Sequence, residues 1–527
     1  MAFGSPTKNR GRRRWDVDHR LFALAIPLAL LTIPRGGGLA AEPKRALIVG
    51  AGTDSSPSGA FQARLGVYPL NTNVAEPLVR LTPEYSVEPL LATRWEYVGK
   101  NTWRFFLRRG VKFHDGQLFT AAAVRWSIAE QVRQGLASAP LTEDAVRVVD
   151  DYTVDITTTE TDLRLPEQLV HPNYGIFALK SDPRSKPIGT GPFRFVDYQP
   201  HQEITVARFD GYWGTKALPH RITFRFLPDA TTRVLALIAG EVDLSMDIPR
   251  EQLGAIASKR GISVARARVG QVMSLNMNAH GRPPYDQLTD RALRRAIAFS
   301  IDRRQLVRQI WQGEAEVIQT VSVPAILGPY AERVKGFGVD RAQAGRLLDG
   351  AGWKMGEDGI RRKGSAALRL TLISNPEVDP ATVEFVQGQL RTIGIDVKWA
   401  KSPDLGSFAA RTSAGEFNLA VATANQNDAN PMFLPALIYD SRSKRPFARW
   451  YHLGPALDRI IDAGLQAMDS DEVCRRAAEA IAMIVDEEAI ALPLAGLFRI
   501  YAMKSSVEGF VPHPSQTNQT WTAVYLK

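Results

Sequence analysis

A single cysteine, Cys474, stands in 527 residues. It excludes an internal disulfide, and no cysteine lies near the end of the N-terminal apolar stretch where a lipid could be attached. Cys474 falls on the apolar face of a predicted helix and reads as a small buried hydrophobe. Histidine is also sparse: the eight are scattered, none paired at the i,i+3 or i,i+4 spacing of a helical metal site. A Gly-x-Ser-x-Gly elbow is absent, and the acid pairs Asp150-Asp151 and Glu487-Glu488 are adjacent rather than set across a cleft. These absences leave a hydrolase without a nucleophile or a metal set. No run of Lys/Arg interleaved with aromatics follows residue 41, which excludes a nucleic-acid surface. Apolar runs are short as well, and Leu21–Leu31 cannot comfortably span a bilayer.

What the chain has is an ordinary globular composition, 45% hydrophobic and 23% charged, over a length that predicts two or three domains. The first 41 residues differ. Lys8, Arg10, Arg12, Arg13, Arg14 and Arg20 precede the Leu21–Leu31 run, and Gly36-Gly37-Gly38-Leu39-Ala40-Ala41 follows it. That order predicts a cleaved export signal. This segment holds seven Lys/Arg and two Asp, half of the net charge of +10. Arg12-Arg13-Arg14 also fits a twin-arginine signal, with Asp16 and Asp18 against it.

Beyond the signal, Arg45–Gly50 reads as a buried strand followed by a Gly/Ser/Pro loop, Ala51–Gly59. Gly50-Ala51-Gly52 lacks the later glycine of a dinucleotide site and the lysine of a phosphate loop. Residues 76–186 read as an α+β unit, with strands at Thr102–Leu107 and Thr153–Thr158 and a helix from Ala121 to Gln131 capped by Thr120. Pro187-Ile188-Gly189-Thr190-Gly191-Pro192-Phe193 is a stiff turn back into a sheet, its glycines expected to supply positive φ.

Strands then follow at Glu203–Arg208 and Arg221–Phe226. Asp229 and Gly240 bound a helix, and a strand at Glu241–Leu244 completes a βαβ crossover. Val272–Asn278 leads into a further module with a capping box at Asp302 and Gln305. Leu368–Ile373, Ala381–Thr392, Ile395–Trp399, Ser407–Thr412 and Phe417–Val421 alternate strand and helix. In such doubly wound sheets ligands settle beyond the carboxyl ends of the strands, which singles out Ser374-Asn375 and Thr423–Asp428. Ser470 is expected to cap a long helix before a terminal strand at Ala489–Leu494.

The ordered run of motifs resembles the family 5 solute-binding proteins, the dipeptide, oligopeptide and nickel receptors of ABC importers. It comprises Val87–Trp95, Leu107–Gly116 with Thr120–Val124, Ile188–Phe193 with Tyr212-Trp213-Gly214, Leu237–Leu244, Leu293–Ala298 and Leu347–Trp353. The resemblance spans roughly residues 45–515. It implies an α/β, type II-like periplasmic binding fold with two α/β lobes around a cleft and an extra α+β lobe. Lobe I would be residues 42–75, 187–272 and 495–527, lobe II 76–186 and lobe III 273–494. Lobes I and III would close by hinging at Val272–Asn278 and Leu492–Ala495, without cofactor or catalysis. The partners implied are a small-molecule or peptide ligand and the permease of an ABC importer, met by a monomer in the periplasm.

On this resemblance Tyr68, Asn71 and Asn73 are candidate ligand contacts from lobe I, and Asn375, Asn425, Asn427 and Asp428 from lobe III. Trp450 and Tyr451 could form an aromatic wall, with His452 beside them. Peptide receptors of the family usually hold the ligand's α-amino group with an aspartate where this chain has Asn425, with Asp428 three residues on as a possible substitute. A modified peptide, an opine, a glycoside or a metal chelate therefore stays open, as does a sensor or chaperone built on the same fold.

Overall fold

The computed structural model describes residues 46–52, 71–137, 139–183, 185–445 and 447–527. The export signal expected at 1–41 and Tyr68 lie outside the described residues, and only the backbone of Asn71 is described. The two largest sheets set the frame. The first runs Ile262–Arg266, Ile500–Lys504, Leu244–Ser245, Leu47–Ala51, Arg221–Phe226, Glu203–Arg208, Phe193–Gln199. The second runs Ala315–Glu316, Ala491–Leu497, Gln271–Met277, Leu419–Asn425, Arg369–Ser374, Asp396–Trp399.

Parallel pairing falls where the βα alternation called for it. Leu47–Ala51 lies parallel to both Arg221–Phe226 and Leu244–Ser245, and Arg369–Ser374 lies parallel to both Asp396–Trp399 and Leu419–Asn425. Helix Ala230–Ala239 makes the crossover in the first sheet. Asp229 caps it by accepting from the Thr232 N–H at 2.7 Å, and Gly240 ends it at φ +81°. Asp302 caps its helix too, but Gln305 turns to Gln309 instead of back, so the box is half made. Thr120 stands at an N-cap without a side-chain bond, and the cap before Val473 is Asp469, not Ser470.

Each sheet is covered on both faces. Leu47, Val49, Phe193, Phe224 and Trp521 form a core on one face of the first sheet, and Val234, Leu237, Val242 and Ile256 form another. Met273, Leu275, Leu293, Leu370, Val386 and Leu390 pack one face of the second. A four-stranded sheet, Ala92–Gly99, Thr102–Leu107, Thr153–Thr157, Val146–Asp150, carries helix Ala121–Arg133. Its core is continuous with the other face of the second sheet.

The glycine turn knits these parts together, for a reason other than the positive φ expected. Neither Gly189 nor Gly191 has one. A Cβ on Gly189 would sit 1.9 Å from the Val74 carbonyl oxygen, and one on Gly191 2.3 Å from that of Asn73. The turn is glycine because another backbone passes through the space a side chain needs. His114 fastens it, donating from Nε2 to the Gly191 carbonyl at 2.9 Å while its Nδ1 accepts from the Gly189 N–H at 3.3 Å. Those two bonds require the neutral ring, and burial lowers its pKa to about 4. Beside the turn, buried Glu76 accepts from Thr190 Oγ1 (2.8 Å), Tyr212 OH (2.7 Å) and Trp213 Nε1 (2.9 Å).

Candidate functional site

The chain passes from the first sheet to the second between Arg266 and Gln271, and returns between Leu497 and Ile500. The two passages run side by side, with the Ala267 N–H donating to the Arg499 carbonyl at 2.9 Å. They lie nearer the first sheet than Val272–Asn278 and Leu492–Ala495, which pair wholly within the second.

Register fixes what faces this crossing. Gln271 opens its strand opposite Asn425, which ends the neighbouring one, and Leu497 lies across from Gln271. Ser245 ends its strand opposite Ala502, close to where Ile500–Lys504 begins. The carboxyl ends of the parallel strands in both sheets are thus turned to one place, where such sheets carry ligands.

Asn375 and Asn425 both stand there. Asn375 is buried; its Nδ2 donates to Thr423 Oγ1 at 3.4 Å, and its Oδ1 has no partner among the described residues. Asn425 Oδ1 accepts from Gln271 Nε2 and from Arg499 Nη2, each at 3.2 Å. Arg499 Nη1 reaches Asp247 Oδ1 at 3.3 Å, so one guanidinium spans the first sheet's Asp247 and the second sheet's Asn425. Asp247 holds φ +51°, a conformation that costs a non-glycine residue energy and turns its side chain off the strand path.

A second bridge lies close by. Arg250, two residues beyond Ile248, pairs with Asp379, donates to the Ile310 carbonyl at 2.8 Å and lies over Trp311 at 4.4 Å. Asp379 is also the N-cap of helix Pro380–Arg391, accepting from the Ala381 N–H at 2.9 Å.

The other expected contacts are employed elsewhere. Asn73 is buried and its amide is spent on backbone: Nδ2 donates to the Gln519 carbonyl at 2.6 Å and Oδ1 accepts from the Trp521 N–H at 3.1 Å. Asp428 is buried behind Asn425, accepting from Gln426 Nε2 (3.0 Å) and the Asn430 N–H (3.1 Å). Burial, with Glu167 and Asp162 near it, raises its pKa to about 8, so it is largely uncharged at neutral pH and no substitute for an exposed aspartate. Asn427 is half-buried on the same loop.

Trp450 and Tyr451 are core. The Trp450 indole donates to the Thr412 carbonyl at 2.5 Å, and Tyr451 packs against Phe417 and Tyr439. The Trp450 carbonyl accepts from the Ala279 N–H, beyond the Met277 end of the strand that Gln271 begins. Six residue steps of strand put that end roughly 20 Å from Asn425. His452 is there too, stacked on His280 with ring centroids 4.0 Å apart. An aromatic pair in sequence carries no mark of the end of a sheet it will reach.

Sequence reasoning passed over Arg499, Asp247, Gln271 and Arg250. Arg499 left a trace: it is a lone charge at the end of the buried run Ala489–Leu497. The position of Asp247 depends on a backbone turn that no local pattern announces.

Two covered α/β sheets, joined by paired passages and facing each other through their loops, are the architecture of a two-lobed binding protein. The chain belongs to family 5 of the bacterial extracellular solute-binding proteins, whose middle-domain model matches residues 86–445. It is 29% identical over 369 residues to a nickel-binding periplasmic protein of Escherichia coli, covering 66% of this chain and 69% of that one. It is 25% identical over 443 residues to a probable D,D-dipeptide-binding periplasmic protein of the same organism, covering 81% and 83%. NikA from Brucella suis, solved with Fe(III)-EDTA, superposes with a TM-score of 0.80 at 24% identity, over 92% of this chain and all of that one. The fold is the type II periplasmic binding fold, and the chain is a substrate-binding protein of the ABC-importer class.

Proposed function

We propose that the mature chain is a periplasmic receptor that captures a small solute, a peptide or peptide-like compound, between two lobes and hands it to the permease of an ABC importer. The crossing carries this reading. Polar side chains from both sheets meet there, at the carboxyl ends of the parallel strands. A ligand touching both walls favours the closed state by its differential contacts, and closure is what a permease can recognise.

The lobe boundaries expected at 272/273 and 494/495 move to the crossings: lobe I is taken as residues 42–75, 187–270 and 498–527, lobe II as 76–186 and lobe III as 271–497, with hinges at Ala267–Gly270 and Phe498–Arg499. The N-terminal segment is removed on export, near Ala40-Ala41. The receptor works as a monomer and leaves its ligand chemically unchanged. Relatives named for nickel, for D,D-dipeptides and for glutathione all align with the chain, so metal chelates belong in the same test.

The experiment is a thermal-shift screen of residues 42–527 against peptides, opines, sugars and nickel chelates. A ligand present at 100 times its Kd stabilises the folded state by about 2.7 kcal/mol, an upward shift in Tm of several degrees. Turnover of a captured compound would overturn the reading.

A further inference from the structure

The guanidinium of Arg499 has an edge that is half used. Its Nε–H and the neighbouring Nη2–H form the planar fork that takes two oxygens side by side. Nη2 is engaged by Asn425 Oδ1 at 3.2 Å. Nε is buried and has no acceptor among the described residues. The remaining contact, Nη1 to Asp247 at 3.3 Å, lies on the other edge.

Two further observations point to a missing group. The Tyr501 hydroxyl is also buried without a partner among the described residues, and its phenol feels the charges of both Arg499 and Asp247. Asn425, whose Oδ1 is held by two donors, keeps Nδ2 as a donor that bonds to nothing among the described residues. Among the described residues three donors are left over on neighbouring side chains: Arg499 touches Asn425, and Tyr501 lies within reach of the Arg499 charge.

The acids near them are accounted for. Asp247 is paired with Arg499 and has a further partner besides. Asp428 is buried against Gln426 and Asn430. Asp379 is held by Arg250. Glu377 is exposed at the rim, accepting from Thr423 Oγ1 at 3.5 Å. A cationic group of a ligand would meet Arg499 first, and an anionic one would find the unused tine.

Resting on the receptor reading, we propose that Arg499 is the specificity-determining residue of the site and seats a carboxylate of the ligand, steadied by Asn425 Nδ2 and the Tyr501 hydroxyl. The substrate class is a small solute with a free carboxylate. An α-ammonium group has no place at this position.

Matched probes test it by calorimetry on residues 42–527: N-acetyl-dialanine against dialanine amide, and the bis-histidine chelate of nickel against the histidinamide chelate. The expected result is that the carboxylate member of at least one pair binds, at least tenfold more tightly than its amide. Arg499→Met should weaken that binding at least tenfold, with Arg499→Lys in between because it keeps charge without the fork. Asn425→Asp leaves Arg499 in place and fills the edge from within the protein; it should also weaken carboxylate binding tenfold or more. Equal affinity for the amide member, or unchanged binding by Arg499→Met or Asn425→Asp, overturns the carboxylate assignment and leaves the receptor reading standing. No binding of any probe, together with no hit in the thermal screen, overturns both.

Discussion

Glu76 accepts three hydrogen bonds where water does not reach, and loss of solvation outweighs them, raising its pKa from 4.5 to about 7. The folded chain therefore holds a proton that the unfolded chain has released between those values. Its contribution to stability is full below pH 4.5 and is lost as pH rises through 7, by up to about 3 kcal/mol. Glu76→Gln should flatten this dependence, because the amide oxygen still serves Thr190 and Trp213 while the Tyr212 hydroxyl turns to accept. Urea midpoints between pH 4.5 and 8 read it; a variant with the same slope as the parent would sink the argument. Glu76→Ala, which strands three donors, should cost about 3 kcal/mol or more at any of these pH values. Asp428 shifts the same way, from 3.8 to about 8, so Asp428→Asn should remove a second share of the loss.

Individual residues are also where the sequence was least legible. Asn375 and Asn425 could be placed because they follow strands in a βα alternation. Arg499, Asp247 and Arg250 could not, because their roles come from register between distant segments. Arg499 and Asn425 are 74 positions apart, and Arg250 and Asp379 are 129 apart.

Among elements, the glycine turn makes the sharpest demand. Its rigidity and its place as a return to a sheet were readable from Pro187, Gly189, Gly191 and Pro192. The helical turn Asn71–Val74 against its glycines was not, since a near approach of backbone lies in tertiary contact. Gly189→Ala should destabilise by about 3 kcal/mol or more, since the obstructing atoms are backbone that cannot swing aside. A midpoint unchanged in urea would show that the 73–74 segment can retreat.

Helix caps give a finer comparison. Asp469 accepts from the N–H groups of both Asp471 and Glu472. Asp469→Ala should therefore cost about 1 kcal/mol and Ser470→Ala only a few tenths, read from the same melts. Capping was predicted one residue late here because Ser and Asp are both good caps and stand in tandem.

For the molecule as a whole, the doubly wound alternation was legible from periodicity, and the family and its two α/β lobes from the ordered run of motifs. The relation of the sheets to each other was not. Arg250, held by Asp379, Ile310 and Trp311, is a tie across the crossing, beside Arg499 and the Arg266–Glu314 pair. Arg250→Met should shift the population toward an opened form, seen as a larger radius of gyration in small-angle scattering of the ligand-free protein. It should also weaken any ligand found in the thermal screen, because closing then costs more. An unchanged scattering profile would mean that Arg250 does not hold the lobes.

The order of strands in the first sheet has one more consequence. Ile500–Lys504, among the last segments made, lies inside that sheet between Leu244–Ser245 and Ile262–Arg266, and Trp521 is buried in its core. A chain still leaving the ribosome lacks the strand that joins the edge strand Ile262–Arg266 to the rest of its first sheet until almost every residue has emerged. Completion of that sheet, and of the core that holds Trp521, is thereby left to the last part of the chain to be made.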